Sequence, residues 1–387
     1  MLSKPTAPLS SLIHLFGSFG QILQTRLFLA LREERDPLSD RNQEFVRALA
    51  LLGLEGFVAR RRGRGRPSQD RVCIARAFLA KAVFNFPTTR ALLDRLAHDE
   101  VLRRLCGWGR KADIPKEWTV SRAFEQFASS EFPQQVHAAL IERTQSERLV
   151  GHLFRDATAI QGREKRCEAK PVQQPPTGRR RHRKASASTP PENMTRLERQ
   201  HFTMPNLEAM LEDLPRQCDL GCKPDSSGRK NSWTGYKLHV DVADGQIPIS
   251  CILTSASLND SQVAIPLAEM SARRVTNCYD VMDTGYTALA IRLHSEKLGH
   301  VPIIGYQKRG GEEKKILAPH EKSRMRERSV VERVFSRLKD EYGADHVRVR
   351  GNAKVMAHLM FGILALTADQ VLRWAGIRET EPGEALA

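Results

Sequence analysis

Asp283 ends an apolar, β-prone stretch in the decapeptide CYDVMDTGYT, Cys278 to Thr287. Asp and Gly are common where a strand turns into a loop, so this position has a simple interpretation as a turn. Asp-Thr-Gly is also the signature of aspartic proteases. A third interpretation makes Asp283 one carboxylate of a metal site whose other members lie elsewhere in the chain.

A second aspartate lies inside another β-type run. Asp156 falls within LVGHLFRDATAI, which begins at Leu149. A charge on a strand that should be buried is costly unless it is paired or binds a metal. One such residue is typical of a satisfied core aspartate, but two of them in one chain favour a shared metal site.

A third acid, Glu332, lies in RMRERSVVERVFSRLKDEYG, where we predict a long helix over about Arg326–Tyr342. Relative to Glu332, Arg328 is four residues earlier and Lys339 seven later. At about 100° per residue the three side chains fall within about 40° on one helix face. The other face carries residues expected to contact the core, Val330, Val334 and Leu338. A helix face with an acid between two cations suits a site that binds phosphate and a divalent metal ion. The alternative interpretation of this face is a solvated surface with a weak Arg328–Glu332 ion pair.

Charge indicates a polyanionic partner. The 387 residues are enough for two or three domains with real cores, and they contain 61 Lys and Arg against 45 Asp and Glu, a formal net charge of +16. With a pI near 9.8, the chain is expected to attract nucleic acid. Seven cysteines form no pattern typical of disulfides, which indicates a reducing compartment.

The hydrophobic pattern changes once along the chain. Residues 41–150 show apolar positions at helical spacing and predict an all-helical region. From Leu149 the predicted order is a strand, a hairpin turning at Ala243–Gln246, and then helices alternating with strands. This order predicts an α/β fold, a mixed sheet with flanking helices. The apolar stretch 353–374 is interrupted by charges and predicts a buried core helix rather than a membrane span.

Two basic segments could contact DNA. The loop RRRGRGRPSQDR contains Arg64-Gly65-Arg66-Pro67, which matches the AT-hook peptide whose arginines enter an A·T minor groove. The alternative is a loop that faces phosphates without reading sequence. A second basic run, with Arg180 and Arg181, lies in a predicted insertion at about 162–232. The centre of this insertion should be flexible, and it should be partly helical near Leu207–Leu214.

Together these features resemble bacterial insertion-sequence transposases of the DDE class, over roughly residues 40–375. Family members carry a first Asp on the opening strand and a second Asp before Gly-Tyr, matched by Asp156 and Asp283. Their Glu lies in a helix with the pattern Tyr-x2-Arg-x3-Glu-x6-Lys. Glu332 matches that acid, and Met325 stands where the family has tyrosine.

The resemblance implies an RNase H-like catalytic domain over 151–375, preceded by a helical DNA-binding domain over 41–150. An N-terminal arm or helix at 1–40 and a tail at 376–387 complete the chain. It implies that Asp156, Asp283 and Glu332 bind two Mg²⁺ ions, with Mn²⁺ as a substitute. The residues expected to hold phosphates are Arg328, Lys339, Arg333, Arg64, Arg66, Arg180 and Arg181.

The implied reaction cuts double-stranded DNA at the terminal inverted repeats of the element and joins the 3′-OH ends to target DNA. A homodimer that brings two ends together is implied, in the bacterial cytoplasm at the nucleoid and without a membrane partner.

Three rival interpretations exist. An aspartic protease needs two Asp-Thr/Ser-Gly loops, or one in a symmetric dimer, in an all-β fold, which this chain lacks. The others are a catalytically inactive, transposase-derived DNA-binding protein and a transcriptional regulator that uses the helical region alone.

Overall fold

The computed structural model describes five stretches of the chain, residues 38–58, 70–166, 194–224, 229–306 and 317–376. Its first part is helical, as the apolar spacing predicted. Polar caps begin several of these helices: Ser39 accepts a hydrogen bond from the Asn42 amide, and Asp70, Thr88 and Asp99 each cap a later helix in the same way. These helices are α1 (Asp40–Leu52), α2 (Arg71–Val83), α3 (Thr89–His98), α4 (Glu100–Cys106), α5 (Glu117–Ser129) and α6 (Phe132–Gln145).

The second part is built on a mixed sheet. Its strands are β1 (Leu149–Gln161), β2 (Asp219–Pro224), β3 (Lys230–Ala243), β4 (Ile247–Ser255), β5 (Thr276–Met282) and β6 (Val301–Ile304). Strand β3 pairs antiparallel with β1 on one side, and with β2 and then β4 on the other. Strand β1 pairs parallel with β5, and β5 pairs parallel with β6. The path β4-β3-β1-β5-β6 puts β1 at the centre of the sheet, and this mixed arrangement confirms the predicted RNase H-like fold class.

Helices cover both faces of this sheet. The helices of this second part are α7 (Arg196–Phe202), α8 (Leu207–Glu212), α9 (Ala264–Ala272), α10 (Leu289–Lys297), α11 (Pro319–Arg326), α12 (Ser329–Asp340) and α13 (Asn352–Trp374). Helix α9 packs on β3 and β4, whereas α12 packs across β1 and β3. Successive residues of a strand point to opposite faces, so neighbouring residues of β1 contact different helices.

The C-terminal helix α13 joins the two parts. It packs against α1, α2, α5 and α6 as well as against β4. The ring centroid of Phe361 on α13 lies 5.6–6.4 Å from those of its aromatic neighbours, Phe78, Phe124, Phe127 and Phe132. Helix α13 is long and apolar enough to cross a membrane, but 94% of its most apolar window is buried inside the protein. The prediction of a core helix is confirmed, and helical region and sheet share one hydrophobic core.

The predicted insertion at about 162–232 is more ordered at its C-terminal end than the sequence indicated. Its described part contains α7, α8, β2 and the start of β3, although the sequence predicted only a helix near Leu207–Leu214. Strand β2 has the sequence DLGCKP, which lacks an apolar run, and it forms through antiparallel pairing with β3. The basic centre of the insertion, with Arg180 and Arg181, lies outside the described residues.

The helix predicted over about Arg326–Tyr342 corresponds to α12, Ser329–Asp340, and the structure adds α11, which ends at Arg326. The backbone N–H groups of Glu327 and Arg328 bond to residues three earlier, Arg324 and Met325. Such i→i−3 bonds form a tight 3₁₀ turn between the two helices. The face that contacts the core is also shifted, since Val331 is buried and Val330 only half-buried.

Candidate active site

Strand pairing brings the two predicted aspartates together. The parallel pairing of β1 with β5 ends at Arg155 and Met282, which lie opposite each other. The next residues along the two strands are Asp156 and Asp283, so both carboxylates leave the same end of the β1–β5 pair on the same face. Asp156 is largely buried, with a side chain 13% exposed, whereas Asp283 is half-buried.

Asp283 is held by the turn that follows β5. Its Oδ1 accepts a hydrogen bond of 2.8 Å from the Gly285 amide and caps the 3₁₀ turn Thr284–Tyr286. Gly305, just after β6, packs against this turn so closely that a Cβ there would lie 2.8 Å from Thr284 Cγ2. The Asp and Gly of the decapeptide therefore do form a turn, and this turn aims a carboxylate beside Asp156.

Arg328 connects the third acid to the first. Its Nη1 donates to Asp156 Oδ2 at 2.6 Å, and its Nη2 donates to Glu332 Oε1 at 3.1 Å. Arg328 precedes α12, and Glu332 lies one turn into that helix with a side chain 61% exposed. The structure thus brings Asp156, Asp283, Arg328 and Glu332 together where the pairing of β1 with β5 ends. The Arg328–Glu332 contact is the surface ion pair that the sequence analysis gave as the alternative to a metal and phosphate site. Arg328 also contacts Asp156, a largely buried acid on β1.

The pKa of Asp156 lies above its ordinary value. Burial raises this pKa most, and the negative charge of nearby Asp283 raises it further, while the Ala157 amide and Arg328 lower it. Tyr286, the last residue of the 3₁₀ turn that follows Asp283, is buried, and its hydroxyl has no hydrogen-bond partner among the described residues. Burial raises the Tyr286 pKa well above its ordinary value, and the charge of Asp156 contributes. Asp156 is therefore in a poorly solvated environment, with the Arg328 guanidinium in contact with it.

The opposite face of β1 carries a structural ion pair. Arg155 donates from Nε and Nη2 to the two carboxylate oxygens of Asp241 at 2.8 and 2.7 Å, and Ser271 on α9 donates to Asp241 at 2.7 Å. Both charged side chains are fully buried. This pair fixes β1 against β3 directly beside Asp156.

The donor set of the three acids fits a divalent ion. Mg²⁺ and Mn²⁺ prefer carboxylate oxygens, and Asp156 and Asp283 concentrate negative charge where burial opposes it. The group of described residues whose ligand atoms already lie within 4.8 Å of one another is a different one: His152, Asp244 and Glu327. In that group His152 Nδ1 lies 3.0 Å from Asp244 Oδ1 and 4.0 Å from Glu327 Oε2. The three predicted acids converge less tightly, with Arg328 between two of them.

The remaining predicted phosphate-binding residues are distributed differently. Lys339 is half-buried on α12, about two turns beyond Glu332, and Arg333 is exposed next to Glu332. Arg64 and Arg66 lie outside the described residues, as do Arg180 and Arg181. The structure adds a cation that sequence reasoning missed: Lys223 on β2 lies near enough to lower the pKa of Asp156. No local signal marked Lys223, because β2 itself was not predicted.

Two family models match the chain. The model described as transposase domain (DUF772) matches residues 32–126, which lie mostly in the helical region. The model described as transposase DDE domain matches residues 216–368, which include Asp283 and Glu332. The two matches do not overlap and together span more than half of the chain. The chain belongs to the insertion-sequence DDE transposases.

Comparison of this transposase with curated proteins and with solved structures gives no match. Family membership supports a transposase role with nuclease activity, and it implies DNA binding and the use of a divalent metal ion. Asp156 precedes the matched DDE segment. Its link to the other acids therefore depends on strand pairing and on Arg328.

Proposed function

We propose that this transposase binds the ends of its insertion sequence as double-stranded DNA, hydrolyses phosphodiesters there and joins the freed 3′-OH ends to target DNA. The observation that supports this proposal most is the ion pair that links Asp156 to Glu332 through Arg328, next to Asp283. This ion pair brings together, at the end of the β1–β5 pairing, the acids that could bind metal ions and a cation that could bind a phosphate.

Within this proposal the carboxylates of Asp156, Asp283 and Glu332 hold two Mg²⁺ ions, or Mn²⁺ in their place. When bound, such ions neutralise the charge that develops on the attacking and leaving oxygens of a phosphodiester. The chain itself fixes the orientation of its acids. The Ala157 amide donates to Asp156 at 2.8 Å, and the Gly285 amide holds Asp283. Both aspartates are thereby oriented before DNA arrives.

Arg328 changes partners in this proposal. Without DNA its guanidinium neutralises Asp156 and Glu332. A DNA phosphate offers the same guanidinium a second anion of matching geometry, and Arg328 then positions the scissile strand. Lys339 and Arg333 on α12 supply further cations for the neighbouring phosphates. Release of Arg328 leaves both carboxylates available at the moment when the substrate is in place.

Further contacts complete the proposed complex. Arg64 and Arg66 bind a minor groove at the element ends, and Arg180 and Arg181 bind phosphates. Two copies of the chain bring two ends together on bacterial nucleoid DNA. The rival is an inactive, transposase-derived DNA-binding protein. Met325, which replaces a family tyrosine and packs against the hydrophobic core, is the observation that favours it.

The test uses a supercoiled plasmid that carries the DNA flanking the gene, incubated with purified protein and Mg²⁺ or Mn²⁺. Wild type should nick or cut at the element ends, and Asp156→Asn, Asp283→Asn and Glu332→Gln should each lose cutting but keep DNA affinity. Glu296→Gln, an exposed acid on α10, is the matched control and should cut like wild type. Cutting at the wild-type rate by the three acid variants would show that the acids are misassigned. Tight binding without cutting by wild type would favour the inactive rival.

A further inference from the structure

A basic cavity of about 320 Å³ lies away from the three acids, between the helical region and the segment that precedes α13. Phe78 of α2 and Phe124 of α5 form an apolar wall of it. Four cationic side chains also line it, namely Lys81, Arg348, Arg350 and Lys354. None of the described residues that line the cavity is acidic. Its volume is within the usual range of ligand sites.

Lys81 is the unusual member of this lining. It is 9% exposed, and no carboxylate within the described parts of the chain pairs with its ammonium group. Burial lowers the pKa of Lys81 to about 8. A lysine in this position is costly to the fold unless an anion enters the cavity and supplies the missing charge.

Two further features make the electrostatic potential inside this cavity more positive. Residues 346–350, in the connection from α12 to α13, have no regular secondary structure, and His346, Arg348, Val349 and Arg350 of this segment line the cavity. On the opposite side Thr88 and Thr89 contribute the N-terminus of α3, a helix of ten residues. Free backbone N–H groups at a helix N-terminus favour phosphate. The cation Lys354 is partly neutralised by Glu125, at 2.7 Å, outside the lining.

We propose that this cavity binds a backbone phosphate of DNA, with Lys81, Arg348 and Arg350 around the phosphate and the adjoining sugar against Phe78 and Phe124. The described lining contains none of the three acids and none of the arginines that the sequence singled out. It joins the DUF772-matched helices to the chain that leaves α12, so a bound strand contacts both parts of the molecule. The assignment rests on the proposed function for the choice of DNA as the phosphate source.

The first experiment measures binding of a fluorescent duplex from the gene-flanking DNA by anisotropy, over about 50–200 mM salt. Lys81→Met keeps the buried apolar stem and removes the charge, and it should weaken binding about tenfold and lower the salt slope by about one. Arg350→Gln, at an exposed position, should act in the same direction without affecting the fold. Lys297→Gln on α10 removes the same charge from an exposed position on another surface and should bind like wild type. Folded Lys81→Met and Arg350→Gln variants with wild-type affinity and salt slope would overturn the proposal.

The second experiment measures acetylation of Lys81 by acetic anhydride, followed by mass spectrometry. The amine is reactive near pH 8 because burial lowers its pKa. Duplex DNA should protect Lys81 strongly, whereas millimolar inorganic phosphate should protect it weakly. Protection by inorganic phosphate or a mononucleotide, but not by DNA, would replace DNA with a free phosphate ligand and overturn the proposal. Neither experiment requires cleavage, so a failure of plasmid cutting does not contradict the cavity assignment. Conversely, lack of Lys81 protection by DNA would contradict the cavity assignment but not the proposed function.

Discussion

Removal of Arg328 should tighten divalent-metal binding to the DNA-free transposase. The Arg328 guanidinium contacts Asp156 at 2.6 Å and Glu332 at 3.1 Å, so a metal ion must displace it from both acids. The perturbation is Arg328→Gln, which keeps a polar side chain and removes the competing charge. The prediction is unusual because loss of a residue in the proposed machinery should improve one of its binding steps.

The expected magnitude follows from the burial of the two contacts. Asp156 is 13% exposed and Arg328 22%, so their contact is more than a surface pair. Glu332 is 61% exposed, so its contact with Arg328 contributes little in water. A partly buried, charge-assisted hydrogen bond contributes about 1.5–3 kcal/mol. Since 1.4 kcal/mol is a factor of ten, the apparent Kd should fall by about tenfold to a hundredfold.

The assay is calorimetric titration of Mn²⁺ into DNA-free protein at pH 8. An alkaline buffer matters because loss of Arg328 removes an influence that lowers the pKa of Asp156, and a protonated acid cannot bind metal. Arg333→Gln is the matched control, since Arg333 is an exposed arginine on the same helix. If Arg328→Gln binds Mn²⁺ no more tightly than Arg333→Gln does, Arg328 does not compete with metal. Saturation with element-end DNA should largely remove the difference between Arg328→Gln and wild type, because DNA draws Arg328 away.

Three further outcomes are expected. Asp241→Asn removes the carboxylate that pairs with the buried Arg155 guanidinium and should lower the free energy of unfolding in urea by about 3–5 kcal/mol. A loss below about 1 kcal/mol would contradict the role of this pair. Burial lowers the pKa of His137 to about 3, so this residue stays neutral in the fold but gains a proton in the unfolded chain below about pH 6.5. Stability should therefore fall as pH drops from about 6.5 towards 3, by about 2–3 kcal/mol at pH 4.5 from this residue, and His137→Gln should flatten the profile of Tm against pH. Deletion of residues 150–387 removes Phe361 from the aromatic core of the helical region, so the fragment should show no cooperative thermal unfolding; a stable, DNA-binding fragment would support a regulator that uses this region alone.

The sequence predicted those parts of the fold that depend on local patterns. The β3–β4 hairpin turns at Asp244–Gln246 because turn residues separate two apolar strands, and the structure has the same turn. The strand that ends before Asp283 was predictable for the same reason. Helix α13 was predictable because charges interrupt its apolar stretch too often for a lipid environment.

Features that depend on distant contacts were not predictable. Strand β2 is polar and short, and its pairing with β3 decides its conformation. The cavity around Lys81 combines α2, α3, α5 and the chain that leaves α12, and no spacing along the sequence brings these elements together. Helical periodicity put Arg328 and Glu332 on one face, but it gave no indication of the 3₁₀ turn at Glu327 and Arg328.

Both residues of that turn contact β1. Asp244, in the β3–β4 turn, accepts hydrogen bonds from the backbone of Gly151 and His152 on β1, and a Cβ at Gly151 would lie 2.8 Å from its Oδ2. His152 in turn lies near Glu327, while Arg328 contacts Asp156 four residues further along the same face of β1. Glu327 and Arg328 are consecutive residues between α11 and α12, and their side chains reach β1 at His152 and Asp156. The position of Glu332 relative to Asp156 is therefore set by the hairpin turn as well as by α12.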